Sequence, residues 1–189
     1  ALVTQNLGTT PTIVQMSPSN QTNCILMEEN SVKVIKCLGV GAEGALGIEN
    51  ASIGDDVSEK GANVLPIDLG TTKTIAEISA GINFNCARFT DGSAKCWGNN
   101  SSLVLGSNTL SGVYVGSGAY HMGANLSYIV PGPSVSILKL AGSKGGNYTS
   151  CAILTGNILK CWGYNAQGQL GQIPSMAFSY IPTIPAISL

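Results

Sequence analysis

Six cysteines are the residues of this 189-residue chain that offer the most chemistry, and their spacing suggests three pairs. The pairs are Cys24 with Cys37, Cys86 with Cys96, and Cys151 with Cys161. A β-hairpin with a three-residue loop sets residues ten positions apart directly opposite each other, within disulfide reach. Buried free thiols and a zinc site shared between distant segments are the alternatives, although no Cys-x-x-Cys occurs. We expect three disulfides.

Catalytic and metal-binding side chains are scarce. His121 is the only histidine, which excludes sites that need two imidazoles and leaves one residue for any Ser-His-Asp triad. The acids Glu49, Asp55, Asp56 and Glu59 could supply oxygen ligands to calcium, but their spacing fits no EF-hand and favours a solvated linker. We therefore expect no catalytic residue, no cofactor and no bound metal.

An aromatic group in segment 108–130 is the main candidate for binding. It contains Tyr114, Tyr120, His121 and Tyr128, and tyrosine is enriched at protein interfaces. The alternative is that this segment packs on its neighbours. Trp97 and Trp162 each follow the second cysteine of a pair, which favours a role in core packing over a ligand platform.

The elements that position these residues come from an internal repeat. Segments 6–24 and 68–86 agree at nine of nineteen positions, and segments 86–100 and 151–165 agree at eight of fifteen, including Lys-Cys-Trp-Gly. A weaker copy of that motif has leucine in place of tryptophan, at Leu38. A Leu-Gly pair follows each second cysteine at a similar distance, at Leu46-Gly47, Leu105-Gly106 and Leu170-Gly171. The repeat also selects the cysteine pairing given above.

Each unit has a β pattern. Runs rich in β-branched residues at Thr12–Ser17 and Thr74–Ser79 predict strands, and Asp91-Gly92 predicts a hairpin turn. No helical periodicity is sustained. We predict an all-β fold of about three β-propeller-type blades, from repeats at 1–62, 63–130 and 131–189, which form one domain or part of a larger propeller.

The pattern Cys-Ala-x-x-x-x-Gly-x-x-x-Cys-Trp-Gly-x-Asn followed by Gly-Gln-Leu-Gly, best seen at 151–171, resembles the regulator of chromosome condensation repeat. The resemblance fades at 107–130, and segment 108–130 stands as an insertion with no family counterpart. The resemblance implies a seven-bladed propeller, and this chain supplies about three of the repeats. A small closed form, an arc completed by another subunit and a piece of a longer chain remain open, and the last two together are favoured.

Sequons and cysteine pairs point to an oxidising compartment, which is extracellular, periplasmic or an organelle lumen. No stretch predicts a membrane span or a signal peptide within these residues. Six Asn-x-Ser/Thr sites are candidate glycosylation positions, at Asn20, Asn50, Asn99, Asn100, Asn125 and Asn147.

Charge is low and unevenly placed. Only 10% of residues are charged and the formal net charge is -1, which argues against a nucleic-acid surface. All ten acids lie at or before Asp91. Charges scattered over loops explain this uneven distribution. The alternative is that the molecule is electrically polar and docks in one orientation.

We therefore predict a non-catalytic protein-interaction or scaffold module with protein partners, an accessory subunit of a larger assembly on an extracellular or lumenal face, peripheral to a membrane complex. A secreted inhibitor or adhesin-like binding protein is the first alternative. The resemblance also implies nucleotide exchange on a small GTPase as a second alternative, but no functional residue of the family maps onto this sequence. This residue content argues against an enzyme.

Overall fold

The computed structural model describes residues 11–49, 52–59, 61–107, 114–129, 131–146 and 148–171. Within these ranges the chain forms antiparallel strands and short 3-10 turns. The strands are β1 Thr12–Pro18, β2 Thr22–Glu29, β3 Val32–Gly39, β4 Ile75–Gly81, β5 Phe84–Phe89, β6 Ala94–Asn99, β7 Tyr114–Val115, β8 Tyr128–Ile129, β9 Ile137–Gly142, β10 Thr149–Leu154 and β11 Ile158–Gly163. The 3-10 turns are Ala42–Gly44, Val57–Glu59, Gly61–Asn63 and Gly123–Asn125.

Three antiparallel sheets correspond to the three predicted repeats. Blade 1 has the order β1-β2-β3, blade 2 has the order β4-β5-β6 with β7 and β8 both on the outer edge of β6, and blade 3 has the order β9-β10-β11. The expected strands at Thr12–Ser17 and Thr74–Ser79 match β1 and β4 to within two residues at each end. The predicted all-β, propeller-type fold is confirmed.

Hairpin loops of different length explain the cysteine spacings. The loops of blades 2 and 3 have three residues between the last paired positions, so cysteines ten apart lie directly opposite. In blade 1 the two-residue loop Asn30–Ser31 joins the paired residues Glu29 and Val32, and both loop residues have positive φ. A spacing of thirteen then brings Cys24 opposite Cys37 as well.

Segment 108–130, expected to be an insertion, supplies the outer edge of blade 2 over its described residues. Val115 pairs with Gly98 and Ile129 pairs with Ala94. The linker after blade 1 makes the same two contacts with β3, because Ile53 pairs with Gly39 and the Ile67 N–H donates to the Ile35 carbonyl. The segment is therefore the blade 2 version of a linker that both repeats share: an interrupted fourth strand with a loop between its two ends.

The blades are arranged as an open arc. Strand β4 packs between β1 and β9, and no comparable contact joins β9 to β1 among the described residues. We call the face of a blade that points to the next blade its forward face, which carries Ser17 and Cys24 in blade 1. The opposite face is its rear face, which carries Met16 and Asn23 in blade 1. One apolar core fills the spaces between the blades and includes both tryptophans.

Candidate interaction surfaces

The three predicted cysteine pairs are disulfides in the structure. Cys24 is joined to Cys37, Cys86 to Cys96 and Cys151 to Cys161. The first two bridges lie on forward faces that the next blade covers, and their four cysteines are buried. Cys151, on the forward face of blade 3, is half-buried. The bridges fix the hairpins that carry the interfaces between blades.

The Leu-Gly turns of repeats 1 and 2 are the joints to the following blades. The Ala45 carbonyl accepts hydrogen bonds from Trp97 Nε1 at 3.1 Å and Asn85 Nδ2 at 2.8 Å. The Val104 carbonyl likewise accepts from Trp162 Nε1 at 2.8 Å and from the Ser150 hydroxyl at 2.9 Å. Both tryptophans are fully buried, so they serve packing and cannot act as ligand platforms.

The glycine of each turn makes room for the indole. A Cβ on Gly106 would lie 2.7 Å from Trp162 Nε1, and one on Gly47 would lie 3.1 Å from Trp97 Nε1. Both glycines also have positive φ, which other residues adopt at a cost. The repeated Leu-Gly pair in the sequence therefore has a physical cause in the joint between blades.

A second joint connects the inner strands. The Ala80 N–H donates to the Ser17 hydroxyl at 2.8 Å, and the Gly142 N–H donates to the Ser79 hydroxyl at 3.1 Å. Gln15 adds a two-point contact, since its amide donates to and accepts from the backbone of Ile78. The equivalent Glu77 instead lies 3.5 Å from Lys139 of blade 3.

Buried polar contacts hold the blade 2 loop, residues 116–128, against the blade. Lys95 is 2% exposed, and its Nζ donates to the Leu69 carbonyl at 2.7 Å and to the Gly123 carbonyl at 3.4 Å. Burial lowers the pKa of Lys95 from its usual value. Gly70 approaches Gly123 so closely that a Cβ would overlap its backbone. The loop therefore has a defined position on the blade.

The structure divides the predicted aromatic patch. Tyr120 is 82% exposed and Tyr114 is also exposed, while the half-buried His121 bonds through Nδ1 to the Tyr114 carbonyl at 2.9 Å. Tyr128 lies at the other end of the loop, where its ring packs edge-on against Phe89. Tyr128 is therefore a packing residue, and the remaining surface is what we call the tyrosine patch: Tyr114, Tyr120 and His121.

Burial separates the described glycosylation candidates into two classes. Asn20 and Asn125 are exposed. Asn99 and Asn100 are buried, and the Asn99 amide donates to Glu43 while the Asn100 side-chain oxygen accepts from the Leu105 N–H. These two side chains cannot carry a glycan in the folded chain. Asn50 and Asn147 lie outside the described residues.

The acidic linker satisfies its own hydrogen bonds. Glu59 accepts from the Gly54 and Asp56 N–H groups, and Asp56 accepts from the Ser58 N–H and hydroxyl. Over the described ranges, no cluster of three or more His, Cys, Asp or Glu side chains is arranged to hold a metal ion. In the same ranges, no helix has the length and apolar character needed to cross a membrane.

Exposed apolar residues at both ends of the arc were not predicted from the sequence. Ile13 and Met16 on blade 1 are 53% and 61% exposed, and Ile153 on blade 3 is 42% exposed. The repeat alignment contained the signal, because Ile75 and Ile78 occupy the equivalent positions of blade 2 and are buried there.

The family model for the regulator of chromosome condensation (RCC1) repeat matches residues 75–102 and 144–169. These ranges contain the hairpins of blades 2 and 3. No curated protein sequence matches the chain.

Solved structures share the fold. Human WBSCR16 is similar with a TM-score of 0.64 and 19% identity, over 91% of this chain and 37% of that one. Prp20p from Saccharomyces cerevisiae, in a structure described with its binding to Gsp1p and histones, has a TM-score of 0.66 and 15% identity over 94% and 38%. Yeast RCC1 (Prp20) bound to Kap60 has a TM-score of 0.54 and 14% identity over 96% and 50%. The chain thus spans between a third and a half of these proteins.

Proposed function

We propose that this chain, in which blades 2 and 3 match the regulator of chromosome condensation repeat and the sheets fold as propeller-type blades, is a non-catalytic protein-interaction module that binds a partner protein through the tyrosine patch. The observation that carries this proposal is the exposure of Tyr120, on a loop whose position is set by buried contacts, and of Tyr114, in the strand before that loop. A loop whose backbone is already held in place loses less conformational freedom on binding than a free loop. Tyrosine is also enriched where proteins meet.

The contacts of His121 support a binding role over an enzymatic one. Its Nδ1 bonds to the Tyr114 carbonyl, which is a backbone group and not a carboxylate. A general base needs a partner that orients it and a nucleophile within reach. The patch thus offers hydrogen-bonding and aromatic surface for a protein partner.

We further propose that the chain works in an oxidising compartment, as an accessory subunit of an extracellular or lumenal assembly. Three disulfides within 189 residues support this, since such bonds persist where thiols are not kept reduced. Intact mass before and after reduction, followed by peptide mapping, tests it. Six freely alkylated thiols in the native protein would contradict the proposal.

Site-specific photo-crosslinking tests the binding surface. A photoreactive residue is placed at Tyr120 and, as a matched control, at Leu65, which is 74% exposed on the equivalent loop of blade 1. Each protein is incubated with secreted or lumenal proteins of the source organism. We expect one partner to crosslink at position 120 and not at 65, and Tyr114→Ala to weaken that crosslink. Equal products at both positions would refute a binding role for the patch.

Nucleotide exchange on a small GTPase, which the resemblance to the regulator of chromosome condensation repeat implies, is the rival function. A module of an oxidising compartment would not meet cytosolic GTPases. We therefore expect no acceleration of GDP release when the chain is added to a small GTPase loaded with a fluorescent nucleotide. A concentration-dependent acceleration would favour the rival.

A further inference from the structure

The rear face of blade 1 is open along its inner strand. Ile13 and Met16 are exposed there, whereas Ile75 and Ile78 at the same positions of blade 2 are covered by blade 1. Ile25 and Met27, in the middle of this face, are already buried in a small apolar cluster. The open parts are therefore strand β1 and the end of the face that carries Asn23.

A groove lies at the Asn23 end. Asn23, Leu38 and Ile53 help to line a cavity of about 380 Å³. In blade 2 the equivalents of Asn23 and Leu38 are Asn85 and Trp97, and these donate hydrogen bonds to the Leu-Gly turn of the preceding repeat. Asn23 is exposed. The groove therefore occupies the place where a Leu-Gly turn docks in the other blades.

The forward end of blade 3 presents such a turn. Gly171 has φ 67°, against 68° for both Gly47 and Gly106, and the Leu170 N–H donates to Asn165 as the Leu105 N–H does to Asn100. The Nε2 of Gln169, in the same turn, is buried without a hydrogen-bond partner. The turn is folded for a joint like those at Ala45 and Val104.

The two ends of the arc lack complementary halves of the inner-strand hydrogen bond: one end lacks the acceptor and the other lacks the donor. Ala141 of blade 3 occupies the position of the acceptors Ser17 and Ser79, and it has no hydroxyl to accept with. Pro18 of blade 1 occupies the position of the donors Ala80 and Gly142, and it has no N–H to donate. A further repeat with the usual serine and N–H group would leave its N–H unpaired against Ala141, or its serine hydroxyl unpaired against Pro18. An unpaired polar group is costly when buried. When Ala141 faces Pro18, no polar group is left unpaired at this position.

Charge is complementary between the same two ends. Repeat 1, residues 1–62, has seven acids against three lysines, a net charge of -4. Repeat 3, residues 131–189, has three lysines and no acid, a net charge of +3. Opposite net charge of the two end repeats, each taken as a whole, steers their approach and speeds association.

We propose that two copies of this chain associate head to tail, with the Gln169–Gly171 turn of each copy seated in the Asn23–Leu38 groove of the other. The two joints bring together the three blades described in each copy, six in all, which is within the range of four to eight with which propellers close. The Gln169 carbonyl accepts from the Asn23 amide of the second copy, as the Ala45 carbonyl accepts from Asn85. This assembly does not depend on the tyrosine patch, which lies on blade 2 away from both ends.

Sedimentation velocity on the disulfide-intact chain, from about 1 to about 100 μM, tests the proposal by mass action. We expect a dimer that weakens with added salt. Asn23→Arg fills the groove and Ile153→Glu adds a negative charge to the forward face, so each is expected to raise the dissociation constant at least tenfold, on the order of a central interface contact. Both residues are accessible, so the fold tolerates these changes. Leu65→Glu, with the same change of charge as Ile153→Glu on an exposed loop, is the control and leaves the dimer intact.

Mixing the two variants distinguishes a head-to-tail joint from a symmetric one. The Asn23→Arg copy keeps an intact turn and the Ile153→Glu copy keeps an intact groove. Each alone is expected to be monomeric, and the mixture to form a one-joint dimer, because heterologous ends complement each other. A wild-type monomer at every concentration, or variants that dimerise normally, would overturn the proposal. Crosslinking at Tyr120 would be unaffected by either result.

Discussion

Asp91 shows how a single side chain ties a hairpin loop to a neighbouring segment. Its carboxylate accepts from the Ser93 N–H and lies 2.7 Å from Lys73 Nζ. The hydrogen bond from Lys73, with those from Ser93, lowers the pKa of Asp91 from 3.8 to about 2. Because the pKa is lower in the folded state, the stability that this group contributes is present above pH 3.8 and is lost as the pH falls through 2.

We expect Asp91→Asn to lower the free energy of unfolding by less than about 1 kcal/mol at pH 7, because the pair is half-exposed and solvent screens it. The difference from wild type should shrink as the pH falls from 3.8 towards 2 and vanish below 2, where the wild-type carboxylate is protonated in the folded chain as well. Urea unfolding across this pH range measures it. Asp55→Asn, on the acidic linker, is the control. A difference that stays constant down to pH 2 would contradict the role of the Lys73 pair.

Burial also decides which sequons an oligosaccharyltransferase can modify after folding begins. When the chain is expressed through a eukaryotic secretory pathway, we expect glycans at Asn20 and Asn125 and none at Asn99 or Asn100, because the latter two amides are buried in hydrogen bonds. Glycopeptide mass spectrometry gives the occupancy of each site. A glycan at Asn99 in folded protein would be incompatible with its contact to Glu43.

At the scale of the element, one of the three Leu-Gly turns has a leucine at a backbone position where the other two have glycine. Each turn has a residue of positive φ two positions before its leucine: Gly44 at 77°, Leu103 at 55° and Gly168 at 75°. Leucine adopts this region at a cost that glycine does not bear. Blade 2 therefore has a turn that is less suited to its backbone than the other two.

We expect Leu103→Gly to raise the free energy of unfolding by about 1 kcal/mol, because the half-buried side chain contributes less than the backbone strain costs. Gly168→Ala, the reciprocal change in the third repeat, should lower it by a similar amount. Denaturant titration of both variants measures the pair. If Leu103→Gly is destabilising, the packing of that side chain outweighs the strain.

At the scale of the whole molecule, the place of a blade in the arc sets the exposure of its disulfide. The bridges of blades 1 and 2 are covered by the following blade, whereas Cys151 is half-buried at the forward end. In the Asn23→Arg chain, which keeps this end uncovered, we expect dithiothreitol under native conditions to reduce Cys151–Cys161 before the other two bridges. Timed alkylation and peptide mapping follow the order. Equal rates for all three bridges would mean that reduction requires global unfolding.

The sequence alone determined the features that depend on neighbours along the chain. The repeat register, the hairpins and the cysteine partners follow from residues at short separations, since two strands joined by a loop of two or three residues have a single register. The internal repeat extended this local information to three units. The tryptophans were correctly assigned to packing for the same reason, because each has a constant position after its hairpin.

The tertiary structure decided the properties that depend on which surfaces meet. Tyr120 and Tyr128 belong to the same aromatic group in the sequence, but Tyr120 is exposed and Tyr128 packs on Phe89. Asn99 and Asn125 have the same sequon, but only one faces solvent. Ile13 and Ile75 occupy the same position of the repeat, and the presence of a preceding blade buries only the second. Burial is a property of long-range packing, so residues of the same type or the same repeat position acquire different roles according to their place in the arc.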